Sequence, residues 1–525
     1  MNRITAYVLL FICCISASAQ WTWCVDVQGA KSVETQDAPE AFLWIPEQCD
    51  TVRAVIFAQQ NMNEETLFNL PSFRSHLADM DVAVVWIAPS IGNNWDVTIG
   101  MQKAFDKALA DLAEVSGYSE IATAPLIPFG HSAQATMPYT FAAWNPERTL
   151  CIISYHGDAP RTNLCGYGGA NIEWGRTRNI DGIPALMVMG EYEWWDARLR
   201  PALAFRMMYP GSCISFLGDA GRGHFDVSEH TAEYIAKFIG KSLQYRGRNL
   251  TPLNPADGWL AQTWEPAQGK RVKPAPAAGY KGDPHEAFWY FDREMAMLAE
   301  ERYADTRGKR PSYIGFMQNG EMVPYLGKRH LKSVVKFLPE ADGITFHVRP
   351  VLTDSTHMVP DMTRAGILPV VKPICGPVKV IDDTTFRVYF NYTGLGNPRR
   401  SWDMVFTAEV PSDRQYKEAV QEFEVQLPRR ITGGMPQAIL FPSICDVPSD
   451  TECILLQARS DRGLPVEYYV KYGPAEIAGD SIRITDLPPR AEFPVEVSVV
   501  AWQLGLADSV NTAEPVERKF KIYKK

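Results

Sequence analysis

The chain has 525 residues, a length that predicts roughly three to four domains. Lys and Arg number 52 against 61 Asp and Glu, giving a net charge of −9 and a pI near 5.6. With 46% hydrophobic and 22% charged residues, the composition is that of a soluble globular protein and excludes a disordered or fibrous one. No block of Lys and Arg stands clear of neighbouring acids, so no nucleic-acid partner is expected.

Residues 1–19 read as an export leader. Arg3 gives the positive start, Ala6 to Ile15 form a short apolar stretch, and Ala17-Ser18-Ala19 is a small-x-small cleavage signature before Gln20. Crossing a bilayer takes about 20 apolar residues, so no transmembrane segment is expected and the protein is expected to be periplasmic or secreted. Of the 10 cysteines, Cys13 and Cys14 fall in the leader, leaving Cys24, Cys49, Cys151, Cys165, Cys213, Cys375, Cys445 and Cys453. An oxidising compartment permits disulfides, with Cys24–Cys49 and Cys445–Cys453 the pairs that proximity in sequence suggests. No Cys/His spacing suggests a zinc site.

From about residue 50 to 240 the pattern alternates strands and helices. Arg53–Ala58, Val82–Ala88, Leu126–Phe129, Cys151–Tyr155, Ala185–Met189 and Ile214–Leu217 are continuous apolar runs, as buried parallel strands are. Met101, Phe105, Ala108, Leu109, Leu112 and Val115 recur at helical spacing, and Gly117 stands where that helix would end. Further helices are expected over 136–144, with a kink at Pro138, and over 232–243. Such alternation calls for a parallel sheet covered on both faces. Residues 249–285 are rich in proline and read as a wrapping linker. A helix is expected from Phe288 to Ala304. Beyond it the chain turns β-rich, with Asn319-Gly320 as a hairpin signal and strand patterns at 385–390, 466–470 and 495–502. The expected organisation is a leader (1–19), an α/β domain (20–248), the linker (249–285), a β-rich domain (286–436) and a small β-sandwich (437–525).

The chemical signal is Phe129-Gly130-His131-Ser132-Ala133-Gln134, placed between an apolar strand and a helix. A serine on such a tight turn is held with its hydroxyl exposed above the carboxyl edge of the sheet, over a helix N-terminus that favours developing negative charge. Here the sequence resembles the α/β-hydrolase superfamily, whose motif is Gly-x-Ser-x-Gly. Gln134 departs from it, standing where a small residue is usual. The resemblance implies a sheet with helices on both faces, a serine nucleophile, and an acid and a histidine following it in chain order. His224, in Gly221-Arg222-Gly223-His224, sits after the last strand, where the superfamily places its histidine. Glu193, after Met189-Gly190, is at the position of the acid, with Asp196 and Asp158 as alternatives. The oxyanion hole is expected from the backbone N–H of Ala133 and from the loop after Ala58, at Gln60 or Asn61.

Trp95, Trp194 and Trp195 fall on loops at the same edge and are candidates for stacking on sugar rings; Arg176, Arg178, Arg198 and Arg200 are candidates for the carboxylates of an acidic glycan. The oxyanion loop is similar to that of exported α/β-hydrolases of polysaccharide-utilising bacteria. Leu464 to Val470, Gly473-Pro474-Ala475 and Val499 to Gln503 resemble an immunoglobulin-like module appended to exported glycan-processing proteins. Together the resemblances imply an exported serine esterase of polysaccharide esters (acetyl, methyl or aromatic) that uses neither a metal nor an organic cofactor. A peptidase of the same fold and a non-catalytic glycan-binding protein stay open as alternatives, the latter favoured by Gln134 and by the lack of glycine in the oxyanion loop.

Overall fold

The structure, a computed structural model, describes residues 21–525 apart from 158, 161–178, 194, 263–271, 305, 328–330, 391–396 and 398–401. Two strands not expected from the sequence, β1 (Trp23–Asp26) and β2 (Glu40–Trp44), open its main sheet. The six apolar runs then form β3 (Ala54–Gln59), β4 (Val82–Ala88), β5 (Leu126–His131), β6 (Ile152–Tyr155), β7 (Pro184–Gly190) and β8 (Cys213–Asp219). The order is β1-β2-β4-β3-β5-β6-β7-β8, antiparallel at β1 and β2 and parallel from β4 to β8.

Every residue of β3 to β8 is buried, because both faces carry a core. Ile56 and Ala58 pack in one layer with Phe68, Trp86 and Phe129; Val55 and Phe57 pack in the other with Phe105 and Phe141. The covering helices are α1 (Glu64–Phe68), α2 (Pro71–Ala78), α3 (Met101–Ser116), α4 (Met137–Trp144), α5 (Trp195–Met208) and α6 (Glu229–Arg246). This is the α/β-hydrolase architecture expected from the sequence. Gly117, at φ +79°, ends α3 as expected, but Val115 lies on its exposed side. Pro138 sits in the first turn of α4, where no backbone donor is needed, so the expected kink has no cause.

From β3 the chain crosses to β4 on one side, then returns to place β5 on the other side of β3. The loops leaving the carboxyl ends of β3 and β5 therefore diverge and leave a crevice, the place where open α/β sheets bind ligands.

The linker contributes strands: Trp259–Ala261 pairs with Ala275–Pro276 and with Phe288–Tyr290 beyond it. The helix expected from Phe288 begins only at Arg293 and runs to Ala304 (α7), because Phe288, Trp289 and Tyr290, all buried, form a strand that suits three aromatics better. Next, strands Val370–Cys375, Asp403–Val410 and Ala419–Gln426 form a sheet that shares a core of Phe346, Phe386, Phe406 and Phe423 with Thr345–His347 and Thr385–Val388. Asn319 and Gly320 both take positive φ at the expected hairpin. The last sheets, built on Glu467–Tyr472, Val495–Trp502 and Val516–Tyr523 and on Ala475–Ala478 and Ser481–Ile484, enclose a separate core around Ile482, Val497 and Phe520. Cys24, Cys49, Cys445 and Cys453 are free thiols, so neither suggested pair is bonded; Cys24 Sγ faces Glu40 instead, 3.9 Å from Oε1. Cys165 lies outside the described residues.

Strand Ala419–Gln426 lies on the loop after β8. Val420 N–H donates to Gly221 O (3.1 Å), and Glu422 Oε1 accepts from Phe225 N–H (3.3 Å). Arg222 pairs with Asp226 (2.8 Å), Glu409 (3.3 Å) and Glu418, while Arg302 of α7 joins Asp219 (2.6 Å) to Glu418 (2.9 Å). Burial pushes the Glu422 carboxyl up to about 7 from 4.5, and the charge of Asp226 adds to the shift. Between those two pH values the folded state binds more protons than the unfolded one, so stability is lost as pH rises, by about 3 kcal/mol once pH exceeds 7. Glu422→Gln keeps the acceptor and removes the charge. In thermal unfolding it is expected to melt above wild type at pH 8 and together with it at pH 4.

Candidate active site

At the end of β5 the backbone of Ser132 takes φ +53°, a conformation uncommon for a residue with a Cβ. A short helical turn, Ser132–Gln134, follows and leads into α4. The turn is tight enough that a Cβ at Gly130 would run into the Gln134 carbonyl, and one at Gly157 into Ala135. Gln134 is accommodated by turning into the loop after β4, where its Nε2 donates to Asn93 Oδ1 (3.0 Å).

Ser132 Oγ lies 2.7 Å from His224 Nε2, and His224 Nδ1 lies 3.0 Å from Glu193 Oε2. Because a carboxylate only accepts, Nδ1 carries the proton and Nε2 is left to accept from the serine hydroxyl. Glu193 stands three residues past the end of β7, and its Oε1 accepts from Gly190 N–H (2.9 Å). Its side chain is 0% exposed. Burial opposes its charge, but the imidazoles of His156 and His224 outweigh burial and hold the carboxyl well below the usual range, so it is ionised. His224 is shifted down by burial, with His156 and Arg198 acting the same way and Glu193 resisting. It is therefore a neutral base at neutral pH.

Other expected residues fare differently. Asp158, Trp194, Arg176 and Arg178 lie outside the described residues, as do the side chains of Trp195 and Asp196. Ala133 is exposed beside Ser132. Trp95 is not a stacking platform: it is 1% exposed, wedged among Phe57, Phe105 and Phe141, with Nε1–H donating to Gln102 Oε1 (2.8 Å). Its large apolar ring closes the core under the loop instead. Arg198 is buried and donates to His156 O (3.3 Å), and Arg200 pairs with Glu286 (2.5 Å). The backbone N–H of Gln60 is not available as an oxyanion donor, because it extends the β3 ladder to Ile87 O (2.7 Å).

Three residues not singled out from the sequence complete the surroundings. His131 Nε2–H donates to His224 O (3.0 Å), while its Nδ1 accepts from Asn61 Nδ2 (3.3 Å). Burial pushes this imidazole far below its ordinary proton affinity, so it is neutral. His156 contacts the far oxygen of Glu193. Asn397 donates to Gln60 Oε1 (3.0 Å) and to Glu34 Oε2 (2.9 Å). Adjacency to Ser132 and to the β6 terminus was the signal for the two histidines; Asn397 carried none. Among the described residues, no group of three or more His, Cys, Asp or Glu is placed to hold a metal ion, and no helix is long and apolar enough to cross a membrane.

No family model matches the chain, and no curated protein matches it. Several solved structures are similar to part of it. Est1E from Butyrivibrio proteoclasticus is 15% identical over 43% of this chain and 99% of its own, with a TM-score of 0.29. FphF, a fluorophosphonate-binding serine hydrolase of Staphylococcus aureus, is 10% identical over 42% and 97%, TM-score 0.29. EstE1, a thermophilic carboxylesterase cloned from a metagenomic library, is 16% identical over 45% and 91%, TM-score 0.30.

The arrangement can deprotonate a serine hydroxyl whenever His224 is neutral. The rate at which Ser132 reacts with a fluorophosphonate is expected to fall on the acid side through one limb with its midpoint below 6.5, the ordinary value for histidine. Measuring labelling rate against pH checks this; a midpoint above 6.5 contradicts it.

Proposed function

We propose that the protein is an exported serine esterase that removes acetyl, methyl or aromatic ester substituents from a polysaccharide. The observation that carries the hydrolase reading is the 2.7 Å contact between Ser132 Oγ and His224 Nε2, backed by Glu193 on Nδ1. His224 takes the hydroxyl proton as Oγ attacks the ester carbonyl. The developing oxyanion is met by the backbone N–H of Ala133 and by that of Asn61, the next donor in the loop once Gln60 is committed to Ile87. His224 returns the proton to the departing alcohol, leaving an acyl-enzyme. Water, deprotonated by the same imidazole, then releases the acid and restores Ser132. The ionised Glu193 stabilises the imidazolium in both halves of the cycle.

The substrate class is supported by the leader pattern and by the two appended β-sandwiches, not by Trp95. The test is intact mass after fluorophosphonate treatment of residues 20–525, followed by assay of acid and alcohol released from acetylated, feruloylated and methyl-esterified polysaccharides. A single adduct, formed with loss of fluoride and absent in Ser132→Ala, is expected. A folded wild type that takes no adduct overturns the hydrolase reading. Labelling without release from any polysaccharide ester overturns the substrate class alone.

A further inference from the structure

The residue after β6 brings a second imidazole to the proposed triad. His156 takes φ +46°, a left-handed conformation that is strained for a side-chain-bearing residue. The backbone is held there from two sides: His156 N–H donates to Val188 O (2.9 Å), and Arg198 Nη1 donates to His156 O (3.3 Å). That conformation turns the ring onto Glu193, where Nδ1–H donates to Oε1, the oxygen that His224 does not use. Both side chains are 0% exposed. Among the described residues the ring's Nε2 has no hydrogen-bond partner, so the only polar contact of this buried ring is with Glu193. A ring placed only to fill space would need neither the strained backbone nor an unpartnered buried nitrogen.

We propose that His156 is a positioning residue: it clamps the outer oxygen of Glu193 so that the inner one stays aimed at His224, and its charge adjusts the proton affinity of His224. This rests on reading Ser132, His224 and Glu193 as the triad. A carboxylate gripped on one oxygen is free to twist about its last bond; donors on both oxygens fix its plane. Among the described residues, the titratable and charged groups around His156 are Glu193 from the loop after β7, Asp219 at the end of β8, Asp226 and His224 beyond it, Arg198 of α5, Tyr155 at the end of β6 and the neutral His131. Burial pushes His156 toward neutrality, but the carboxylates, Glu193 above all, outweigh it and raise its proton affinity. At the acid pH where His224 titrates, His156 is therefore charged and repels a proton from His224.

The test is the pH dependence of fluorophosphonate labelling in two variants, with Ser132→Ala as the blank. Asparagine tolerates left-handed backbone and its amide still donates to Oε1, so His156→Asn removes the charge and keeps the clamp. It is expected to label within about tenfold of wild type at neutral pH, with its acid limb displaced to higher pH. His156→Phe keeps the bulk and loses the donor, and labelling is expected to slow by roughly 100-fold. A purely structural role would leave the limb in place, so an Asn variant whose limb superimposes on wild type overturns the proposal even if the Phe variant fails to fold. A Phe variant labelling at the wild-type rate overturns it too. These outcomes presuppose a wild type that labels; a folded wild type that does not label removes the triad reading and this proposal with it.

Discussion

The carboxyl edge of the sheet is organised around one buried negative charge. Taking an ionised carboxylate out of water costs several kcal/mol even after the surroundings relax, so Glu193 is tolerable only with donors on both oxygens. They come from different parts of the fold: Gly190 N–H at the end of β7, His156 after β6 and His224 after β8. Arg198 of α5 stands 3.9 Å away. The parallel register that aligns Tyr155 with Val188 and Gly190 with Asp219 is what lets three strand ends meet at one side chain. Moving any of those ends leaves an uncompensated buried charge, so the geometry at Ser132 is tied to the packing of half the sheet.

The loop that carries His224 is irregular and has glycines at 221 and 223, so it has little stiffness of its own. Its rigidity is borrowed from the β-rich segment beyond residue 286. Strand Ala419–Gln426 lies so close that a Cβ at Gly221 or Gly223 would strike Glu418 or Glu422, and Arg222 ties the loop to Glu409 and Glu418. On the opposite side of the crevice, Asn397 grips Gln60 in the loop after β3, and Ile374 O accepts from Thr66 of α1. Both walls of the crevice are thus held by the same segment. The unit that shapes the site runs from the first strand to about residue 426, well past the α/β domain, and the raised proton affinity of Glu422 is a cost of that arrangement.

How far the fold was legible follows from how each element is specified. Strands buried on both faces must be apolar throughout, so β3 to β8 announce themselves, and helices α3 and α6 show their stripe. Strand β1 at the sheet edge and β2 beside it are short segments among turn residues, and α5 mixes Arg, Trp and Pro201 without a clear stripe. The meeting of Ser132, Glu193 and His224 was legible because each lies on the turn or loop that leaves the carboxyl end of a recognisable strand, so the topology brings together residues far apart in the chain. Asn397 is 337 residues from Gln60 and follows no legible element; only the docking of two domains joins them. Trp95 misled because a loop aromatic can face solvent or seal a core with equal ease, and three phenylalanines, two of them on neighbouring helices, decide the matter.

Three imidazoles crowd around Ser132, and their partners separate their chemistry. His131 gives its one proton to a carbonyl and accepts from an amide; both contacts require the neutral ring, and a second proton would face the Asn61 amide hydrogens. Its protonation state is locked. His156 has a carboxylate on one nitrogen, and among the described residues the other has no partner. His224 alone has a carboxylate behind and a hydroxyl ahead. The carboxylate accepts equally well from the neutral ring and from the imidazolium, and the hydroxyl can either give its proton to Nε2 or accept a bond from it. Of the three, His224 alone joins a carboxylate to a hydroxyl that can give up its proton, and that pairing, more than proximity to the serine, is what its proposed role as the base requires.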